Sequence, residues 1–86
     1  MNVRDIVEKA KTGDIAVHFK LLFVSTIIDV KIPQLGIAGT VTQTLDHAGG
    51  ETIEVTNVES ANFDEDTARQ IIEEIYYQLL EREVKS

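Results

Sequence analysis

The sequence predicts an α+β fold in which four antiparallel strands form a meander and two helices, one at each end of the chain, pack on one face of the sheet. Three observations predict it. Apolar residues recur every three to four positions near both ends, they alternate with a period of two across the middle, and the connections between the middle segments are too short for parallel crossovers. The 86 residues form a single domain, 1–86, because so short a chain cannot bury two cores.

The first element is a short amphipathic helix near the amino terminus. Its apolar positions fall on one helical face, with charged residues on the other, and they are Val3, Ile6, Val7 and Ala10. Gly13 follows directly and can adopt the left-handed conformation that ends helices. The segment before residue 13 therefore predicts a helix with one buried face.

Two strands are expected next. Apolar residues occupy every second position from Ile15 onward, which predicts a first strand over residues 15–24. The second strand covers residues 28–32 and ends at Pro33, which cannot donate to a strand ladder. Ser25 and Thr26 supply the turn that joins the two strands.

The third and fourth strands follow the connection at residues 33–36. Ile37 and Val41 share one face of the third strand, and threonines at alternate positions share the other, as suits a half-solvated sheet surface. Residues 46–50 are expected to form a hairpin loop. The fourth strand places Ile53 and Val55 between polar neighbours.

The carboxyl-terminal segment predicts a helix of about 18 residues. Asp64 is expected to cap its amino terminus, and Phe63 and Ala68 are placed to form a hydrophobic staple. One apolar stripe then runs along the helix, formed by Ala68, Ile71, Ile72, Ile75, Tyr76 and Leu79.

Charge is distributed unevenly between the two halves of the chain. Residues 1–45 hold five basic and four acidic side chains, whereas residues 46–86 hold three basic and eleven acidic ones, so the halves carry +1 and −8. Such a field repels phosphate backbones and attracts basic protein surfaces. Direct binding of nucleic acid is therefore not expected, and most of the aromatic residues are assigned to core or staple positions: Phe19, Phe23, Phe63 and Tyr76.

Composition restricts the compartment and the class. The chain has no cysteine, which excludes disulfides and thiolate metal sites and favours a reducing cytoplasm. The amino terminus enters an amphipathic segment rather than a targeting sequence, and no stretch approaches the roughly 18 apolar residues of a membrane span. We expect a cytoplasmic protein with no membrane partner.

Residue types that carry chemistry give no catalytic, metal or cofactor signature. His18 and His47 lack a recognisable ligand spacing, the acid pairs fall on solvated helix positions, and the glycine pairs precede strands instead of helices. We therefore expect no enzyme activity, no metal and no cofactor.

Two sets of residues are candidates for contact with a protein partner. Apolar residues on the sheet face opposite the helices and around the Pro33 connection are Leu22, Val24, Leu35 and Ile37. The acidic field comes from Asp64, Glu65, Asp66, Glu73, Glu74 and Glu81. Local covering of a small core explains the apolar set equally well.

The opening of the chain resembles the start of a small acidic family of phage-encoded anti-CRISPR inhibitors of Cas9. The similar positions are residues 1–6, Lys11, Asp14 and Val17. The resemblance stops before Leu21 and carries over no functional residue. It implies a physical class, in which carboxylates occupy a basic groove that nucleic acid would otherwise fill.

Three hypotheses follow from the sequence. The leading one is a small acidic, non-enzymatic protein-binding module, a homo-oligomer, adaptor or inhibitor, whose partner is itself or a basic protein surface. The alternative is a phage-type inhibitor that acts by nucleic-acid mimicry on a DNA- or RNA-binding enzyme. A second alternative is a small-ligand-binding or catalytic subunit that uses a pocket between the sheet and the helices near His18.

Overall fold

The computed structural model describes residues 2–22, 26–45 and 48–81. The elements follow in the order helix, four strands, helix, and they are α1 (Val3–Thr12), β1 (His18–Leu22), β2 (Ile27–Ile32), β3 (Ile37–Leu45), β4 (Glu51–Ser60) and α2 (Glu65–Ile75). The sheet is antiparallel with strand order β1-β2-β3-β4. The predicted α+β meander is confirmed.

The side chains that the strands direct towards the helices form one core with the buried helix residues. The sheet contributes alternate positions of β2, β3 and β4, and the helices contribute the stripes predicted from their periodicity. The main members are Ile6, Val7, Ala10, Ile28, Val30, Ile32, Val41, Val55, Ala68, Ile71, Ile72 and Ile75. Both helices therefore cover the same face, called here the inner face, and the threonines of β3 lie on the outer face.

Both helices begin at a side-chain cap. The Oδ1 atom of Asn2 accepts the N–H of Asp5 at 2.8 Å, and a carboxylate oxygen of Asp64 accepts the N–H of Thr67 at 3.3 Å. Gly13 ends α1 in the left-handed conformation with φ of 87°, as predicted. The first strand starts later than expected, at His18, because the N–H of Ile15 bonds to the carbonyl of Lys9 and belongs to the helix end.

The last turn of the carboxyl-terminal helix is wider than an α-helix. A π-helical turn spans Tyr76–Leu80, closed by a bond from the N–H of Glu81 to the carbonyl of Tyr76. The extra residue in this turn advances the buried stripe by one position. Leu80 is consequently 3% exposed and fully in the core, whereas the predicted Leu79 only packs against its rim.

A β-bulge interrupts the pairing of β3 with β4. Ala38 lies opposite Glu59 and Thr40 lies opposite Thr56, so Asn57 and Val58 together face the single residue Gly39. Asn57 has a positive φ of 54°, as bulged strands often require. The bulge lets β4 continue beyond Thr56, where the sequence alternation stops, to Ser60.

Gly39 permits the close approach of α2 to the sheet. It pairs with the buried Val30, and an added Cβ would lie on the inner face, 2.6 Å from the Cδ1 atom of Ile72. Ile72 is fully buried, so its side chain cannot turn away without displacing other core atoms. The contact between α2 and the sheet thus depends on the missing side chain.

We expect Gly39→Ala to lower the free energy of unfolding by about 1–3 kcal/mol through overpacking. Ile72→Val removes the Cδ1 atom and on its own costs about 0.5–1.5 kcal/mol. The double variant should be more stable than the sum of the two single effects implies, as measured by urea unfolding followed by circular dichroism. If the changes in unfolding free energy of the two single variants simply add in the double variant, Ile72 is not the side chain for which Gly39 leaves room.

Candidate functional site

The helices leave the inner face of β1 largely open. Phe19 and Leu21 are 38% and 41% exposed, although the residues opposite them in β2, Val30 and Ile28, are 1% and 0% exposed. Burial is therefore lost between two adjacent strands, β2 and β1. The edge of the helix layer lies between them. The assignment of Phe19 to the core is wrong for this reason.

The outer face of β1 and β2 is mixed in character. Leu22 lies opposite Ile27, and both are half-buried, which confirms the predicted placement of Leu22 on the face away from the helices. His18 and Lys20 share this face with Lys31. A shallow depression of about 150 Å³ is lined by His18, Phe19, Lys20, Asp29 and Lys31.

Asp29 is the acidic member of this outer surface, and its carboxylate is engaged within the sheet. The hydroxyl of Thr40 donates to its Oδ1 atom at 3.2 Å. The remaining charged groups here are the exposed Lys20 and Lys31, and the exposed His18 lies beside them. This end of the outer face is therefore basic in an otherwise acidic protein.

The residues around Pro33 lie partly against the core. Pro33–Leu35 is a 3₁₀ turn, Gly36 follows it in the left-handed conformation, and Leu35 packs against the core. The prediction that Ile37 lies at the surface is wrong, because it pairs with Ile32 on the inner face and is 2% exposed. The packing of Leu35 against the core is what the alternative interpretation, local covering of the core, expects.

Several predicted residues lie outside the part of the chain that the structure describes. They are Phe23, the candidate contact residue Val24, Ser25 of the first turn, and Asp46 and His47 of the hairpin loop. The flanking pairs Leu22–Ile27 and Leu45–Glu51 establish which strands these segments connect.

The predicted acidic residues follow α2 and its extension but do not form one cluster. Asp64 caps the helix, Glu65 pairs with the guanidinium of Arg69 at 3.0 Å, and Glu74 accepts from the amide of Gln78 at 3.0 Å. These three contacts are typical of surface helix side chains. Of the others, Asp66 is exposed, and Glu73 and Glu81 are half-buried.

A small notch lies where the π-helical turn meets β4. Its volume is about 80 Å³, and its walls are Glu51, Ile53, Tyr76, Tyr77 and Glu81. The buried Tyr76 hydroxyl bonds to the side-chain amide of Gln43 and lies 3.5 Å from the carboxylate of Glu51. The ring of Tyr77 packs edge-on against that of Tyr76, with centroids 5.3 Å apart, and remains 50% exposed.

An open groove of about 610 Å³ lies between the two helices. Val3 and Val7 supply its apolar surface, and the rest of its lining is Asn2, Arg4, Glu8, Gln70, Glu74 and Gln78. No polar or charged residue among those described is fully buried, and the polar groups that line the groove are exposed or half-buried. His18 lies on the outer face and has no part in this groove.

Within residues 2–22, 26–45 and 48–81, no group of three or more metal-ligating side chains comes together. No helix in the same ranges has the length and apolar character needed to cross a bilayer. Comparison with models of protein families, with curated proteins and with solved structures gives no match. The site must therefore be interpreted from its own geometry.

Hydrogen bonds from Thr67 give Asp64 a structural role. The Thr67 hydroxyl and then its backbone N–H lower the pKa of the Asp64 carboxyl below its ordinary value of 3.8. A folded-state pKa below the unfolded one stabilises the fold at neutral pH, and this contribution is lost as the pH falls through the lowered pKa.

We expect Asp64→Asn, which keeps the cap geometry but not the charge, to be less stable than the parent at pH 7 and equally stable once the Asp64 carboxyl is protonated. Thermal unfolding between neutral and acidic pH measures the difference. Asp66→Asn removes a charge from the same turn without touching the cap and should change the pH dependence less. Equal effects of the two variants would show that only net charge matters.

Proposed function

We propose that this protein is a non-enzymatic protein-binding module that docks another polypeptide along β1. The observation that carries the proposal is the exposure of Phe19 and Leu21, 38% and 41%, on the inner face of an edge strand. Large apolar side chains in this position commonly mark a binding surface. An edge strand also offers main-chain groups to which an added strand can bond.

The apolar character of this edge continues on both faces of the strand. Leu22 and its neighbour Ile27 are half-buried on the outer face, close to the end of β1 where Leu21 is exposed on the inner face. A strand added to β1 would cover side chains on both faces at once. Strand addition therefore accounts for more of the exposed apolar surface than contact with either face separately.

Binding, instead of catalysis, is supported by what converges at this edge. The exposed side chains are mainly apolar, and the charged groups beside them, Lys20 and Lys31, are exposed to solvent. General acid or base catalysis commonly uses groups held in a pocket, whereas the charged groups at this edge are exposed. We propose a cytoplasmic setting because a chain without cysteine needs no oxidising compartment.

Replacing both exposed residues, Phe19→Ser with Leu21→Ser, should abolish binding. Both association with itself, measured by light scattering up to high micromolar concentration, and capture of other proteins on the immobilised chain should be lost. Both substitutions remove apolar surface that is already more than a third exposed, so circular dichroism should show a folded protein.

Val3→Ser provides a matched control, since it removes a half-buried apolar side chain from the groove between the helices. This control should retain the binding that the β1 variant loses. The proposal is wrong if the parent protein is monomeric throughout and captures no protein that the Phe19→Ser, Leu21→Ser variant fails to capture.

A further inference from the structure

The sheet has a second open edge, and it is complementary to the first. β4 pairs with β3 and with no other described strand. On the inner face of this edge, Ile53 is half-buried and forms a notch with Tyr77. Phe19, Leu21 and Tyr77 are the large apolar residues most exposed in the described part of the chain, so both edges carry exposed apolar groups on the inner face.

The free portions of the two edges match in length and phase. β1 has five residues, and Thr52–Thr56 supply five residues of β4 before the bulge at Asn57. If Lys20 lies opposite Glu54 in an antiparallel pair, Phe19 falls opposite Val55 and Leu21 falls opposite Ile53. All four apolar residues then share the inner face, and the two charged residues share the outer face.

Charge selects this pairing over the two symmetric ones. The outer side of β1 presents Lys20, and that of β4 presents Glu54. Pairing β1 with a second β1 about its centre would oppose two copies of Lys20, and pairing β4 with β4 about Glu54 would oppose two carboxylates. Like charges directly opposite each other destabilise a strand pair, whereas opposite charges stabilise it.

Chain direction is consistent with the same arrangement. Every neighbouring pair in the sheet is antiparallel, so β1 and β4 run in opposite directions. A second copy placed beside β4 in the same orientation presents its β1 antiparallel to β4 and keeps its helices on the same side. The sheet then continues from one copy to the next without reversal of the inner face.

We propose that the occupant of β1 is the β4 edge of a second copy of this chain, joined antiparallel with Lys20 beside Glu54. This inference rests on the proposed function of β1 as a docking strand. The contact is heterologous, because each copy uses two different edges, and every open assembly therefore keeps one free β1 and one free β4. Association continues beyond a dimer unless the twist of the sheet closes a ring.

Charge exchange tests the pairing. Lys20→Glu and Glu54→Lys should each weaken self-association about five- to tenfold, and the double variant with both changes should restore it, as measured by sedimentation velocity. The single changes move the net charge from −7 to −9 and to −5, in opposite directions, so general repulsion cannot explain weakening by both. Lys9→Glu, an exposed change on α1, should have little effect.

A mixing experiment tests whether the assembly uses two different edges, β1 and β4, or only one kind of edge. Leu21→Lys disables β1 and Glu54→Lys weakens β4, so neither protein should form large assemblies by itself. Their mixture retains one native β1 edge and one native β4 edge and should give a 1:1 heterodimer that does not grow further. Assemblies that grow in the mixture, or the absence of a heterodimer, would overturn the inference.

Failure of this inference can be told apart from failure of the proposed function. If the parent chain stays monomeric but captures another protein through Phe19 and Leu21, β1 is a docking strand and its occupant is not a second copy. If self-association is unaffected by Glu54→Lys, β4 is not the occupant. If neither self-association nor β1-dependent capture is observed, both proposals are wrong.

Discussion

The position of the helix layer over the sheet is the constraint on which the rest of the structure depends. α2 contacts β3 and β4, and α1 packs beside α2. The inner side chains of β2 are completely buried under this layer, and those of β1, one strand further out, are more than a third exposed. The core therefore ends between β2 and β1, and the inner side chains Phe19 and Leu21 of β1 lie beyond it.

Local backbone features explain why the helix layer is placed this way. Because Gly39 has no side chain, Ile72 approaches β3 more closely than it could with any other residue at position 39. The bulge at Asn57 and Val58 faces the same position. The π-helical turn then directs Leu80 into the core while leaving Tyr77 half-exposed next to β4. The edge properties of β1 and β4 follow from how α2 is seated, because burial of an inner side chain requires a helix above it.

Most of the architecture could be predicted from the sequence because it depends on local patterns. The helix stripes, the alternation of the strands, the Asp64 cap and the Gly13 terminus each involve neighbouring residues. The errors have non-local causes. Exposure of Phe19 depends on where the helices lie, the shift from Leu79 to Leu80 depends on a π-helical turn, and burial of Ile37 depends on its pairing with Ile32.

The candidate site was less predictable for the same reason. Leu22 was placed correctly because strand alternation determines its face. Leu21 and Phe19 were missed as surface residues, since alternation assigns them to the core side without indicating that the core ends at β2. The acidic residues of α2 are recognisable in the sequence, but their contacts with Thr67, Arg69 and Gln78 identify much of that charge as local stabilisation.

Hydrogen exchange of the backbone amides tests the central claim most directly. The account predicts that amides of β2 and β3 are protected at every protein concentration, because both strands are paired on two sides within one chain. Amides of β1 and of Thr52–Thr56 in β4 should gain protection as the concentration rises. Protection in those two segments that does not change between dilute and high micromolar protein would contradict the account.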